Sequence, residues 1–392
     1  MTFVHILTPT YWPDRGGMEE SVARIAQLLA RSGHRICTTY VRDTSPPTDA
    51  PTPAVDGSVV YLRRAKAPLA SPALASVTAY PEERYRLDYL LFRAAVAEAI
   101  AKHPSSRHLI VSFYLTTSGF LAQHVASDLG IPHIASASGN DLSADFHNPY
   151  RMPPIEFVLR RADHVVTLSG EQERWVKQSN LRTGRVTTIH NSLPDGVLTG
   201  RWRFNRDRDV HIVNDSGYHF RKGTHLLFAA FRCAVGGGAR ATLTVAGSTE
   251  SQTRAYWERA RAALSAEFGE RVRLLDWIDK SKIHDLLLSS HLYCAPTFGE
   301  GCSLARLAAL ALGMPVISTA CGELLDVAAH MDHVRLVPPG STDRLAAALE
   351  ETVRELPQVA SRIDGDAVQA LRQHLSPARE FAQWDAVLRE FE

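Results

Sequence analysis

Residues 3–40 read FVHILTPTYWPDRGGMEESVARIAQLLARSGHRICTTY, and they encode one β-α-β unit. Residues 3–8 form a short apolar run that suits a buried strand, and residues 35–40 predict the next strand. A helix over 18–32 is predicted between them, because apolar residues recur there at i, i+3, i+4 and i+7. These residues are Val22, Ile25, Ala26 and Leu29. Such a unit joins parallel strands by a right-handed crossover, so it predicts a parallel sheet covered by helices.

The alternation of strands and helices continues in two series. The first adds a long helix over 82–102 and strands over 109–113, 131–136 and 164–168, and a capping-box pattern at Ser169 opens another helix. The proline-rich segment 44–53 is interpreted as an exposed loop. A polar stretch around 186–209 precedes the second series. Its strands are predicted over 211–213, 242–246, 272–275, 292–295 and 316–318, and its helices over 224–233, 252–268, 280–289 and 303–312.

Two such series in 392 residues predict an α/β protein with two doubly wound Rossmann-like domains that face a central cleft. We set the first domain at residues 1–195 and the second at 196–375. Residues 376–392 are predicted to form a C-terminal helix, beginning at Pro377, that packs back on the first domain.

The composition excludes several classes of protein. Lys and Arg number 43 against 42 Asp and Glu, and a formal net charge of +1 argues against a nucleic-acid partner. No apolar run approaches the ~18 residues that span a bilayer, and the N-terminus lacks the basic start of a signal peptide. The five cysteines contain no C-x-x-C pair, which predicts a cytoplasmic, reducing location and no zinc knuckle.

Two glycine-containing loops are candidates for anion binding. Gly16 and Gly17 precede the first helix, where backbone could approach a ligand closely, although a simple strand-to-helix turn explains them equally well. Arg221, Lys222 and Gly223 follow Gly217 and precede a helix, so that two cations could hold a diphosphate. Taken alone, this basic turn is better explained as a solvated surface.

The third candidate is the segment 296–316, PTFGEGCSLARLAALALGMPV. A strand ends in its first residues, Glu300 lies between two glycines, and a helix begins near Ser303. A carboxylate there can accept hydrogen bonds from sugar hydroxyls, while the helix N-terminus can bind phosphate. The alternative is a carboxylate that only stabilises the helix, by roughly 0.3 to 1 kcal/mol. The flanking glycines favour a functional role.

The order and spacing of these motifs resemble the GT-B-fold retaining glycosyltransferases of family 4, the glycosyl transferases group 1. The resemblance spans nearly the whole chain. It rests on residues 11–20, 28–34, 130–141, 161–169, 189–191, 221–223, 272–279 and 296–316. It implies a GT-B fold, with an acceptor-side N-terminal domain and a C-terminal domain that binds a nucleotide sugar.

The resemblance also implies roles for single residues. Lys222 matches the phosphate-binding lysine of the family, and Glu300 matches the first glutamate of its E-x7-E motif, which holds the donor sugar. With Arg221, they form the predicted catalytic set. Gly16, Gly17, Asn140 and Asp141 match loops beside the donor phosphate, the sugar and the acceptor. Further predicted donor-side residues are Gly217, Trp277, Gly301, Cys302, Ser303 and Leu304.

The chain departs from the family pattern at several positions. Ala308 stands where the second glutamate of E-x7-E would bind the ribose, a loss of a charged acceptor that costs about 1.5 to 3 kcal/mol. Tyr218 stands where an arginine is usual, and Arg221 is the candidate substitute. Glu323 and Asp326 lie near the last acidic position of the family, one residue out of register.

The predicted reaction is sugar transfer from a UDP- or GDP-linked donor to a small-molecule acceptor, with retention at the anomeric carbon and no metal or other cofactor. Asp207 and Asp209 form a D-x-D sequence, but no strand precedes them, so chance explains it better than a metal site. The histidine pairs 330 with 333 and 284 with 291 make no convincing ligand set. Basic residues in 63–66 and 201–204 are better explained as solvated than as lipid-binding.

Two other functions remain open from the sequence. Loss of the ribose carboxylate at Ala308 is compatible with a non-catalytic nucleotide- or sugar-binding protein, whereas Lys222 and Glu300 favour an enzyme. A glycan or lipid-linked transferase at the membrane surface has the same chemistry with another acceptor. The Ala- and Arg-rich composition favours a bacterial specialised-metabolite pathway.

Overall fold

The computed structural model describes residues 2–9, 17–42, 58–63, 82–182, 184–205, 209–328 and 330–391. The chain divides into an N-terminal unit, which comprises the residues up to Asn191 together with those from Pro377 onward, and a C-terminal unit, Ser192–Ser376. The chain leaves the N-terminal unit after Asn191 and enters the C-terminal unit at Ser192, and we had set this boundary at residue 195.

The N-terminal unit is built on seven parallel strands in the order β3-β2-β1-β4-β5-β6-β7. The strands are β1 Thr2–Thr8, β2 Arg35–Arg42, β3 Ser58–Arg63, β4 Arg107–Phe113, β5 His133–Ser136, β6 His164–Thr167 and β7 Arg185–Thr188. The helices are α1 Gly17–Arg31, α2 Glu82–Lys102, α3 Phe120–Leu129, α4 Gly139–Ser143, α5 Met152–Arg161 and α6 Gly170–Gln178. A π-helical turn, Leu115–Gly119, precedes α3.

The C-terminal unit carries a second parallel sheet of six strands in the order β10-β9-β8-β11-β12-β13. Its strands are β8 Val210–Asn214, β9 Ala241–Val245, β10 Val272–Leu274, β11 Leu292–Ala295, β12 Val316–Thr319 and β13 Val334–Val337. Its helices are α7 Asp195–Thr199, α8 Thr224–Gly236, α9 Arg254–Phe268, α10 Lys280–Leu288, α11 Leu304–Ala311, α12 Leu324–Val327, α13 Thr342–Ser361 and α14 Gly365–His374. The predicted α/β class with two Rossmann-like domains is confirmed.

The last helix, α15 Pro377–Arg389, belongs to the N-terminal unit. Its side chains Trp384, Val387 and Leu388 join the buried cluster that α1 and the central strands form. Arg24 on α1 anchors the helix, since its Nε atom lies 2.8 Å from Glu380 Oε2 in a largely buried ion pair. Residues far apart in the sequence thus complete one core.

The predicted strands and helices are confirmed within one to three residues at most ends. At Ser169 the side chain caps α6 by accepting from the Gln172 amide, and Gln172 Oε1 in turn accepts from the Leu168 amide. Several elements were not predicted, namely the strands β3, β7 and β13 and the helices α3, α4, α5, α7, α12, α13 and α14. The predicted loop 44–53 lies outside the described residues.

Candidate active site

The candidate site in the C-terminal unit lies at the edge of the sheet where the parallel strands end. β8, β11 and β12 are neighbours in the sheet and run in the same direction. The loops that follow them therefore meet at one edge, which is where ligands bind in open α/β sheets. These loops carry the basic turn at 221–223, Glu300 and Glu323.

The basic turn is held directly against the Glu300 loop. The Phe298 amide donates to the Arg221 carbonyl at 2.9 Å, and Thr297 Oγ1 donates to the same oxygen at 3.2 Å. Gly223 has a φ of +70°, and a Cβ atom there would lie 1.9 Å from the Pro296 carbonyl oxygen. Glycine at position 223 is thus required both by the left-handed backbone and by the close approach of the two loops.

Lys222 and Glu300 form an ion pair, in which Lys222 Nζ donates to Glu300 Oε1. Thr297 Oγ1 lies 3.3 Å from the same carboxylate oxygen, which is an alternative acceptor for its one proton. The other oxygen, Oε2, lies 3.8 Å from Arg221 Nη1, which donates to the Gly299 carbonyl at 3.0 Å. The structure thus brings the three predicted catalytic residues together.

The exposure of the Glu300 and Arg221 side chains differs in a way that suits ligand binding. The Glu300 side chain is 10% exposed, whereas Arg221 is 37% exposed. Burial by itself would raise the pKa of Glu300, but Lys222, Arg306 and Arg221 outweigh burial, so the pKa lies below its ordinary value. Glu300 is therefore an ionised acceptor beside cations that solvent or an anionic ligand can reach.

Arg306 is a site-forming residue that the sequence analysis missed. It is fully buried on α11, where its Nε and Nη2 atoms lie 3.1 and 2.7 Å from the Glu323 oxygens. Its position in the run LARLAALAL was a usable signal, because a lone cation among apolar helix residues is almost always paired when buried. Glu323, named above for its position in the sequence, is its partner.

The start of α11 lies next to a carboxylate of the protein. Ser303 is the N-cap residue and Leu304 the first helical residue, close to the predicted helix start at 303. The Ser303 backbone is near enough to Glu323 to favour the ionised form of its carboxyl group, although burial raises the pKa of Glu323 overall. Gly301 is buried and Cys302 half-buried in the preceding loop.

Two residues after β8 have structural contacts. Gly217 has a φ of +74°, and a Cβ atom there would lie 2.5 Å from the Ser248 carbonyl oxygen, so glycine permits two loops to touch. Tyr218 is fully buried, and its hydroxyl oxygen lies 3.1 and 2.9 Å from the carbonyl oxygens of Val245 and Leu275, either of which can accept its proton. Tyr218 is thus a core residue. Trp277, predicted at the donor, lies beyond the end of β10 with 49% of its surface exposed.

In the N-terminal unit, Asp141 is completely buried in α4, and Asn140 beside it is half-buried. Its carboxylate accepts from the amides of Ser138 and Leu115 at 2.7 and 3.0 Å and from Thr116 Oγ1 at 3.3 Å. Burial raises the pKa of Asp141 to about 7, because desolvation exceeds the effect of the two amides and Asp145 adds a like charge. These contacts make Asp141 a link between α4 and the turn after β4.

Asp145 completes a polar cluster beside that turn. It accepts from Tyr114 Oη, from Thr116 Oγ1 at 3.2 Å and from Arg151 Nη1 at 2.8 Å. Tyr114 has a φ of +79°, a conformation that is costly for a bulky residue and is found at functional sites. Neither Asp145 nor Arg151 was singled out from the sequence, because their partners come from other elements.

The remaining predicted positions are dispersed. Gly17 is the exposed first residue of α1, and a Cβ atom there would meet nothing within 4 Å. Gly16 and Asp207 lie outside the described residues, and Asp209 pairs with Arg240 at 3.1 Å.

In the described ranges, no three His, Cys, Asp or Glu side chains are grouped as metal ligands. Across those ranges, no helix is long and apolar enough to cross a membrane.

Comparison with known proteins identifies relatives of both units. Residues 16–192 match the family described as glycosyl transferase 4-like domain, and residues 210–355 match glycosyl transferases group 1. D-inositol 3-phosphate glycosyltransferase from Mycobacteroides abscessus is 24% identical in an alignment of length 360, and the alignment covers 86% of this chain and 77% of that protein.

Solved structures share the fold. Sucrose-phosphate synthase from Thermosynechococcus elongatus aligns with a TM-score of 0.76 at 18% identity, over 99% of this chain and 98% of that one. Anabaena HepE in complex with UDP aligns with a TM-score of 0.72 at 16% identity, over 99% and 100%. The two matched domains and the two Rossmann-like sheets together show that the chain belongs to the group 1, or family 4, glycosyltransferases and is a transferase with the GT-B fold.

Proposed function

We propose that this glycosyltransferase uses a nucleoside diphosphate sugar, UDP- or GDP-linked, and transfers the sugar to a small or medium-sized acceptor with retention of configuration. The observation that carries the proposal is the contact between Lys222 and Glu300, which are 78 residues apart in the sequence. A diphosphate requires fixed positive charge, and a sugar ring is commonly held by a carboxylate. HepE, which shares the fold, has been solved with UDP and with UDP-glucose, and this supports a nucleotide donor.

In the proposed reaction, an O–H, N–H or S–H group of the acceptor attacks the anomeric carbon, and the bond from that carbon to the diphosphate oxygen breaks. Lys222 and Arg221 offset the negative charge that develops on the leaving diphosphate. The proton of the attacking group passes to the departing phosphate oxygen, so the step balances without a separate general base. Because two cations supply the compensation, we propose that no metal ion is required.

Glu300 is assigned to the sugar. Its Oε1 atom is engaged by Lys222 and Thr297, while Oε2 lies beyond hydrogen-bond distance of Arg221 and can accept from a sugar hydroxyl. The N-terminal unit, with Gly17 and Asn140, is assigned to the acceptor on the strength of the family motifs. None of the five cysteines forms a disulfide in the described part of the chain, which supports the proposed cytoplasmic location, and the composition supports specialised-metabolite synthesis.

Nucleotide profiling tests the donor. Thermal unfolding is measured with UDP, GDP, ADP and TDP, and turnover is then measured with labelled sugars on the nucleotide that stabilises the protein. We expect one nucleotide to raise the melting temperature and one of its sugars to be transferred, with the anomeric coupling of the product reporting retention.

Glu300→Gln tests the site, with Glu267→Gln as the matched control because Glu267 is an exposed carboxylate of the same unit. We expect the Glu300 variant to fold and lose turnover, and the control to behave as wild type. Normal rates in Glu300→Gln would remove the site assignment, and transfer from none of the donors would refute the proposed substrate class.

A further inference from the structure

The Arg306–Glu323 pair lies beneath the candidate site but is not reached from it. Both side chains are completely buried, and they are joined by two N–H···O bonds of 3.1 and 2.7 Å. Arg306 also contacts Ser318 Oγ and the Cys321 carbonyl, both at 3.4 Å. Neither charge has a task in the transfer reaction described above, because neither is exposed to a ligand.

Stability alone is a poor explanation for this pair. Removing two charges from water costs several kcal/mol per ion, and apolar residues of similar volume often serve a core equally well or better. The rest of α11 is already apolar, and Leu307 and Leu310 beside Arg306 are fully buried. An apolar pair would therefore fit this core, and the charges require another account.

The backbone beside the pair packs against the Glu300 loop. A Cβ atom on Gly322 would lie 2.6 Å from the Glu300 carbonyl oxygen and 3.3 Å from Arg306 Nη2, so the backbone before Glu323 is packed directly against Glu300. At the other end of the loop, the Ser303 backbone is near enough to Glu323 to act on the pKa of its carboxyl group. The residues around this pair thus adjoin both Glu300 and the start of α11.

The pair also contributes to the charge around Glu300. Lys222 and Arg221 face Glu300 from the loop after β8, Arg306 faces it from α11, and Glu323 faces it from the loop after β12. Lys222 also faces Asp215, a second residue after β8, and the positive charge of Lys222 favours the ionised form of that carboxyl group. Among the cations, Arg306 ranks second only to Lys222 in lowering the pKa of Glu300, and it stays charged because Glu323 and Glu300 raise its own pKa despite burial.

We propose that Arg306 and Glu323 are positioning residues, which fix the Glu300 loop for the donor sugar without touching the donor, and that the Arg306 guanidinium supplies positive charge near the Glu300 carboxylate. The inference rests on the proposed function of Glu300. It adds a requirement that the donor contacts do not contain: the geometry of Glu300 depends on a buried guanidinium from the following helix.

Two variants separate geometry from charge. Arg306→Met with Glu323→Leu removes both charges and keeps the volume, so it leaves no unpaired buried charge. We expect it to fold, to raise the donor KM at least tenfold, and to move the acid limb of kcat/KM to higher pH. Arg306→Lys keeps the charge but loses the two-pronged bond, so we expect a raised donor KM with the acid limb close to wild type.

Arg232→Met with Glu267→Leu is the matched control, because it removes an exposed ion pair of 2.6 Å from the same unit. We expect its KM and pH profile to match wild type. An unchanged donor KM in both Arg306 variants would overturn the positioning role and leave a merely structural pair. If the double variant does not fold, Arg306→Lys still decides the question.

A readout independent of turnover distinguishes failure of this inference from failure of the proposed function. The side-chain carboxyl resonance of Glu300 in 13C-glutamate-labelled protein, assigned through Glu300→Gln, is titrated in wild type and in the variants. We expect the resonance to titrate at higher pH in the double variant. An identical titration would refute the electrostatic part of the proposal, whether or not any sugar is transferred.

Discussion

Asp141, in α4 of the N-terminal unit, and Glu300, in the loop after β11 of the C-terminal unit, are carboxyl groups that lie beyond the ends of parallel strands. Asp141 is fully and Glu300 largely shielded from solvent, but their pKa values move in opposite directions. Asp141 is raised to about 7, whereas Glu300 lies below its ordinary value. Burial acts to raise the pKa of both groups. The difference comes from the neighbours, because amides and a hydroxyl surround Asp141, and three cations surround Glu300.

The comparison shows that a carboxyl group placed just beyond a parallel strand can serve either of two purposes. The oxygens of Asp141 are used by the protein itself, which joins α4 to the turn after β4. Glu300 keeps one oxygen, Oε2, that lies 3.8 Å from Arg221 Nη1 and therefore beyond hydrogen-bond distance of that guanidinium. We interpret the first carboxyl as a structural link and the second as a ligand-binding group, and four experiments test that distinction.

Lys222→Met should have the largest effect, because it removes the strongest cation from Glu300 and from the proposed leaving group. We expect turnover to fall by roughly 10²- to 10³-fold, a loss typical of one electrostatic contact to developing charge. The pKa of Glu300 should rise, because burial would then be opposed by fewer cations, as it is at Asp141. Steady-state kinetics and the carboxyl titration measure both effects. Lys102→Met, an exposed lysine of the other unit, is the control, and unchanged kinetics in Lys222→Met would contradict the assignment.

Gly322→Ala should disturb the Glu300 loop through the backbone. The φ of +65° and the 2.6 Å approach to the Glu300 carbonyl oxygen predict a loss of roughly 2 to 4 kcal/mol in the free energy of unfolding. Gly238→Ala has a φ of +98° but no neighbour within 4 Å, so it should show the smaller cost of the backbone conformation alone. Chemical denaturation compares the two, and equal losses would show that the contact with Glu300 is unimportant.

Asp141→Asn tests the structural carboxyl through pH. Because the pKa of Asp141 in the folded protein is about 7, above its unfolded value of 3.8, the native state binds more protons between these values. Ionisation of Asp141 therefore lowers the free energy of unfolding as pH rises through this window, by at most about 1.4 kcal/mol per pH unit. The variant should show a shallower decline in denaturation measured from pH 4 to pH 7.

Asp128→Asn is the control for that experiment, since Asp128 is exposed and Tyr89 lowers its pKa, so the midpoint of its titration lies below the window. A decline equally steep in Asp141→Asn and wild type would mean that Asp141 does not titrate as the structure indicates.

Ala308→Glu should give the smallest effect and sharpens the comparison on the donor side. A carboxylate at this half-buried position of α11 can accept from a ribose diol, so we expect nucleotide affinity to rise about tenfold. Calorimetric titration with the nucleotide chosen by profiling measures the change. Ala305→Glu, also half-buried on α11, is the matched control, and a gain common to both variants would indicate general electrostatics instead of ribose binding.

Much of the fold could be predicted because the spacing of apolar residues along the sequence indicates where strands and helices form. The strands that became β1, β4 and β11 are short apolar runs, and the helices between them show apolar residues at helical spacing. The short strand β13 could not be predicted, because three of its four residues are half-buried and its pattern is weak. The main residues of the candidate site could be named from the sequence, since a basic turn and a glutamate between two glycines are recognisable there.

The amino-acid order by itself determined the α/β class, the two series of elements and the presence of Lys222 and Glu300 in loops beyond strands. The tertiary structure alone decided that Tyr218 enters the core, that Asp141 bonds to backbone amides and that Arg306 meets Glu323. The physical reason is that periodicity reports which face of an element is buried. The partner of a buried polar group depends on which strands become neighbours in the sheet, and that is settled when distant segments pack together.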